Sequence, residues 1–439
     1  MNSTYYYLAG SAAWLLTACT TPEAPTETAE TTPSIINEAA TARIDSTLQA
    51  YVDDSIVAGA SALLYEQGEE VYFQTFGMAD REANRPMDRN TIVQIFSMTK
   101  PITGVALMTL YEEGAFELDD PVSKYAPEFA DMQVYAGEDA NGELILEPPH
   151  REMTIRDLTR HTAGFVTTPD VPKLAEMLRE ADPMNRENTL TQMAEKLGSV
   201  PLWFQPGERW AYGPSVDVQA FLVERISGQP FDQYIQTHIF DPLKMEETRY
   251  LVPESDRNRL AALYRQAEDS TLTHLPDEQA QAFNTQKWAL TPGGFGLTST
   301  VDNYMRFARM LVNEGELDGA RILKPETIRL MATNQLADSV TERSWLPSKG
   351  NVGFGIDFAV REDPPLSAEE NHGKVGEFFW DGAASTLFWV DPANDLTALL
   401  FVQIFPFNRE IHKDFRDAVY GKYEVEGEIV RNDQEEADS

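Results

Sequence analysis

One cysteine, Cys19, is all that 439 residues contain, so no disulfide can form within the chain. Histidine is scarce as well. His150, His161, His238, His274, His372 and His412 show neither His-x-x-x-His nor His-Glu-x-x-His spacing, so no zinc motif is present and no metal is expected. Positive charge is in short supply: 35 Lys and Arg stand against 71 Asp and Glu, a formal net charge of −36. That balance argues against nucleic acid as a partner and against broad adsorption to anionic lipid. No stretch approaches the ~20 apolar residues that span a bilayer. Gly-x-Ser-x-Gly is missing, which leaves a Ser-His-Asp hydrolase of the nucleophile-elbow type unsupported. Gly294-x-Gly296 lacks the third glycine of a dinucleotide loop, and no organic cofactor is expected. What remains is a globular composition, 42% hydrophobic, long enough for two lobes around a large core.

The one cysteine is informative by position. A short apolar stretch ends Leu15-Leu16-Thr17-Ala18 directly before Cys19. This resembles a bacterial lipoprotein signal, in which cleavage leaves the cysteine as a lipidated N-terminus, although Met1 to Leu8 carries no Lys or Arg. The reading is a signal over residues 1–19, a Thr/Pro/Glu/Ala-rich tether over 20–34, a catalytic domain over 35–423 and an acidic tail over 424–439. It implies export to the cell envelope or periplasm, with membrane contact only through the lipid. An ordinary secretory signal, with Cys19 a bystander, is the alternative.

Periodicity predicts a helix over Ile35 to Val52, then strands over Ala60 to Tyr65 and Glu70 to Phe76 joined by Glu66-Gln67-Gly68. Helices follow at Ser97, over Val216 to Ile226 and over Tyr304 to Glu314. Strand patterns return at Phe354 to Val360, Lys374 to Phe379, Thr386 to Val390 and Leu396 to Val402, before a last helix over Arg409 to Tyr420. Early and late strands that close one antiparallel sheet, flanked by helices, make an α/β (α+β) domain. Residues 119–290, rich in helical pattern and proline, form a helical second lobe, with a site expected in the cleft between.

The chemistry starts at Ser97-Met98-Thr99-Lys100, which follows an apolar strand-like run and opens a helix. Three residues apart on a helix, hydroxyl and amine share a face. A serine hydroxyl is a weak nucleophile until a neighbouring base takes its proton, and a buried amine is one such base. Backbone N–H groups at the helix start favour developing negative charge. Tyr212, in Trp210-Ala211-Tyr212-Gly213-Pro214, is a candidate proton shuttle, or equally a half-buried aromatic at a bend. In Phe379-Trp380-Asp381-Gly382-Ala383-Ala384-Ser385, small residues would let a substrate lie along a strand edge whose N–H groups receive an oxyanion.

The order of these motifs resembles the penicillin-recognising serine hydrolases, which carry Ser-x-x-Lys. Leu158-Thr159-Arg160-His161-Thr162-Ala163-Gly164-Phe165, Ser227-Gly228-Gln229-Pro230-Phe231 and Pro292-Gly293-Gly294-Phe295-Gly296 are similar to segments of the class C-related group. His161 reads as structural. Two departures resemble family VIII carboxylesterases instead. Pro214 stands where a β-lactamase of the group has the Asn of Tyr-x-Asn, and Trp380-x-Gly382 stands where it has Lys-Thr-Gly. Lys374-Val375-Gly376 is the rival for that last motif. The resemblance implies that Ser97 is the nucleophile, that Lys100 and Tyr212 share acid and base work, and that Trp380, Gly382 and Ala383 bind substrate or oxyanion. The implied substrate is a small-molecule ester, with Trp380 as an aromatic wall. The alternatives are β-lactam or D-alanyl peptide cleavage, and a catalytically silent relative that binds peptidoglycan or a partner protein.

Overall fold

The computed structural model describes residues 34–423 together with residues 1, 2 and 4. The rest of the expected signal, Cys19, most of the tether and the acidic tail lie outside the described residues. Everything reported below belongs to the compact unit that begins at Ser34.

An eight-stranded sheet is the scaffold. Its spatial order is Val352–Phe354, Ala359–Arg361, Phe378–Asp381, Leu387–Asp391, Leu396–Phe401, Gly59–Glu66, Glu69–Asp80 and Arg85–Pro86. Every pairing is antiparallel, and the early and late strands join at Leu63 opposite Leu399. Leu387–Asp391 and Leu396–Phe401 are buried at every position, as strands covered on both faces must be. Alternation decides which helix covers which face. Trp389 packs on Phe415 of the Arg409–Tyr420 helix, whereas Phe388 meets Tyr304 of the Val301–Val312 helix. The Glu38–Asp53 helix packs on the Arg409–Tyr420 helix, with Tyr51 donating to Asp414 at 2.8 Å.

Three elements differ from the sequence reading. Phe354 to Val360 is not one strand but two short ones around a tight turn, because Asp357 adopts φ 60° and turns its carboxyl onto Gln219 at 3.1 Å. Lys374 to Gly376 is an exposed turn rather than the start of a strand, which begins only at Phe378. The helical middle segment also contains a hairpin, Val134–Glu138 with Leu144–Glu147. No helix among the described residues is long and apolar enough to cross a membrane.

His412, on the inner face of the last helix, bonds the Ser385 carbonyl at 2.9 Å. Burial pushes its pKa down to about 4, against the Asp381 charge that acts to raise it. The unfolded imidazole titrates near 6.5, so the unfolded chain takes up the proton first. Stability is therefore complete above about pH 6.5 and falls towards pH 4, by about 3 kcal/mol from this group. Urea midpoints from pH 7 to pH 4 check this: His412→Gln, whose amide still reaches the carbonyl, is expected to lose less stability over that window than the natural chain.

Candidate active site

Ser97 lies in a 3-10 turn, Phe96–Met98, that runs into the Thr99–Glu112 helix. Phe96 enters that turn at φ 44°, an uncommon conformation for a bulky side chain. Its ring is held edge-on by Phe405 at 5.5 Å, and the turn is anchored by Tyr304, whose hydroxyl donates to the Met98 carbonyl at 2.9 Å. The helical offset then does what the spacing suggests. Lys100 Nζ donates to Ser97 Oγ at 3.4 Å, a long bond, and to the Gly294 carbonyl at 2.7 Å. Ser97 is partly exposed while Lys100 is buried.

Tyr212 arrives from another segment. His161, at φ 56°, accepts a hydrogen bond from Ala211 N at 3.0 Å, and Trp210 N donates to Glu342 O at 2.8 Å, so the residues before Tyr212 are fixed by backbone. Lys100 Nζ sits 4.5 Å from the centre of the Tyr212 ring, within cation–π range. Behind the ring lies an aromatic stack: His161 at 4.9 Å, Trp345 at 5.2 Å and Trp380 at 5.7 Å. Burial and the Lys100 charge push the His161 imidazole well down, so it stays neutral and packs as an aromatic.

These residues open onto a cavity of about 610 Å³, mid-range for small-molecule sites. Ser97, Lys100, Tyr212, Asp217, Gly294 and Ala383 line it on the reactive side. The 166–184 segment supplies another part of the wall, with Val166, Pro169, Ala175, Leu178 and Met184 together with Thr167, Thr168, Arg179 and Asp182. Its Pro172–Ala181 helix buries Leu174 in a small separate core with Val171 and Val200. The 138–149 segment does not reach the cavity.

The three strand-edge residues separate. Ala383 is exposed, lines the cavity, and its N–H has no acceptor among the described residues. Gly382 is not available for a substrate: its N–H donates to Thr386 O at 2.9 Å, and Thr386 Oγ1 and Ile95 O occupy the space where a side chain would be. Trp380 is 1% exposed and is not part of the cavity wall. It is a backing for Tyr212, because strand alternation turns it into the stack with Trp345 and Phe354. Pro214 lines the cavity and caps the Ser215–Ser227 helix.

Sequence reasoning missed the support behind this stack. Lys349 pairs with Asp381, and its amine lies 5.2 Å from the Trp345 ring centre and 5.1 Å from that of Trp380. Nothing in the sequence near Lys349 signals a partner 32 residues away. Among the described residues, Asp80, Glu82 and His274 lie close enough together to share an ion. Their groups already have partners: Arg85 on Asp80, the Tyr264 hydroxyl on Glu82 and Asp277 on His274.

The Beta-lactamase family model matches residues 44–420. Protein Rv1367c of Mycobacterium tuberculosis is 34% identical over 358 residues, 81% of this chain and 88% of that one. Esterase EstB of Burkholderia gladioli is 28% identical over 399 residues, 87% of this chain and 95% of that one. Among solved structures, EstCE1, described as a hydrolase with promiscuous acyltransferase activity, superposes with a TM-score of 0.73 at 25% identity, covering 88% of this chain and all of that one.

Proposed function

Because the chain belongs to the beta-lactamase family, which includes ester hydrolases, we propose that it is a serine carboxylesterase working through an acyl-enzyme. The observation that carries the reading is the contact of Lys100 Nζ with Ser97 Oγ at 3.4 Å under the Tyr212 ring, at the wall of an apolar cavity. Ser97 Oγ attacks the ester carbonyl carbon as its proton passes to the Lys100–Tyr212 pair. The carbonyl oxygen becomes an oxyanion beside the Ser97 and Ala383 N–H groups. Collapse breaks the carbon–oxygen bond, and the departing alkoxide takes the proton back and leaves as the alcohol. Water then attacks the acyl-enzyme, giving up a proton to the same pair, and the acid leaves as Ser97 is regenerated.

Esters are favoured over β-lactams by two side chains. Pro214, on the cavity wall, offers no amide for an acylamino group, and the buried Trp380, where the resemblance would place a lysine, brings no cation to a substrate carboxylate. The test is a series of p-nitrophenyl esters of graded acyl length beside nitrocefin. Ester kcat/KM is expected to exceed that for nitrocefin by about 100-fold or more, and the reverse order would make the enzyme an amide hydrolase. A fluorophosphonate that fails to label Ser97 in the folded protein would leave a silent binding relative.

A second reading is acyl transfer to an alcohol. The 166–184 wall, with Val166, Pro169, Leu178 and Met184 beside Arg179 and Asp182, would limit the access of water to an acyl-enzyme, and EstCE1 is described as a hydrolase with promiscuous acyltransferase activity. Added alcohol would then divert product from acid to ester. We further propose export and lipid anchoring at Cys19; Cys19→Ser would release the protein from the membrane fraction.

A further inference from the structure

Asp217 lies in the first turn of the Ser215–Ser227 helix, buried, and is one of the residues lining the cavity. Its Oδ1 accepts the Gly294 N–H at 2.9 Å. Gly294 in turn offers its carbonyl to Lys100 Nζ at 2.7 Å. The two preceding carbonyls are held as well. Tyr250 donates to Pro292 O at 2.6 Å, and Thr103 Oγ1 donates to Gly293 O at 2.8 Å. Three successive residues are thus tied by four side chains from three parts of the chain. The third position lies directly between the carboxylate and the amine. A Cβ on Gly294 would sit 2.9 Å from Asp217 Oδ2 and 3.2 Å from Lys100 Nζ, which also puts carboxylate and amine within about 6 Å of each other.

Resting on the esterase reading above, we propose that Asp217 is a positioning residue for Lys100: it pins the Gly294 carbonyl that holds the amine, and its charge faces the amine across that glycine. Burial pushes the Asp217 carboxyl up, while Lys100 and the N–H groups of Gly294, Asp217 and Gly293 act to lower it. The other titratable groups around the pair do not compete for this role. Burial pushes Asp357 well up, towards its uncharged form, against Gln219 and Lys100. His161 is held neutral, and burial followed by the Asp217 charge pushes the Tyr250 hydroxyl well up. Tyr212 presents its ring to the amine. Asp217 is the carboxylate joined to the amine's own anchor, accepting the Gly294 N–H while the Gly294 carbonyl holds Lys100. A negative charge at that place would favour the charged amine over the neutral one that acts as a base.

Asp217→Asn keeps an oxygen for the Gly294 N–H and removes the charge. The acidic limb of the kcat/KM–pH profile for a p-nitrophenyl ester is expected to move to lower pH by about one unit. Asp217→Ser, the second neutral variant, should shift it in the same direction. A purely structural Asp217 would lower the rate and leave the limb in place, within about 0.2 unit, and that result would overturn the inference. Fluorophosphonate labelling of Ser97 in the natural chain separates the two claims. Absent labelling overturns the esterase reading, and labelling with an unmoved limb overturns only the role given to Asp217.

Discussion

Ser97→Ala is expected to lower ester kcat/KM by about 10⁴-fold or more, while the urea midpoint stays within error of the natural chain. The two halves of that expectation come from different parts of the structure. Ser97 is partly exposed, and among the described residues its only side-chain bond is the 3.4 Å contact from Lys100, so its hydroxyl contributes little to folding. As the one atom that would bond covalently to the acyl group, it carries the whole reaction path. Lys100→Met should cost a similar factor, because an unassisted hydroxyl is a poor nucleophile. It is expected to be less benign for stability: the residue is buried, and the Gly294 carbonyl loses its 2.7 Å donor. Combining the two should be no worse than the more damaging single change, since groups that act as a unit do not add. Retention of more than about a tenth of the activity by Ser97→Ala, measured on protein shown to be free of contaminating esterase, removes the nucleophile from the mechanism.

What was legible in the sequence follows from how far each signal reaches. Ser97 and Lys100 share a helical turn, so their contact is a matter of local offset, and the structure shows it at 3.4 Å. Tyr212 had no such local signal. Its pairing with that turn came from family resemblance, and the structure places it over the amine through backbone bonds from His161 and Glu342. The sheet was legible because two apolar runs near the start and several near the end must find partners, and they find each other. The misread stretch around Asp357 looked like a strand because Phe354, Ile356 and Phe358 alternate, yet the residue between them turns back to meet Gln219. Trp380 shows the limit of pattern reading most directly. Strand alternation places it on a face but says nothing of what already covers that face, and Tyr212 and Trp345 do. The Lys349–Asp381 pair and the wall at 166–184 depend wholly on distant chain coming together.

Glu377→Ala is expected to destabilise the protein by about 3–5 kcal/mol, a large part of the ~5–15 kcal/mol that holds a domain together. Glu377 is fully buried between two buried arginines. It accepts from Arg361 Nε at 3.1 Å and from Arg416 Nη1 at 2.8 Å. Even with it, several guanidinium nitrogens of Arg361 and Arg416 have no partner among the described residues, so one carboxylate already serves two cations. Arg416 recovers some stabilisation from the faces of Phe379 and Trp389, at 4.7 and 4.5 Å from their centres. Removing the carboxylate leaves two buried positive charges facing each other, which is the costly way to break such a network. The loss should also reach the reactive side. Phe379 belongs to the strand that runs into Gly382 and Ala383, so ester turnover is expected to fall at temperatures below the main unfolding transition. Replacing all three charges at once, as Arg361→Met, Glu377→Leu and Arg416→Met, should restore most of the lost stability, because no unpaired ion remains. Urea midpoints for the single and triple variants decide the matter. If the triple variant is as unstable as Glu377→Ala alone, the stability comes from the shape of the three side chains and not from the balance of their charges.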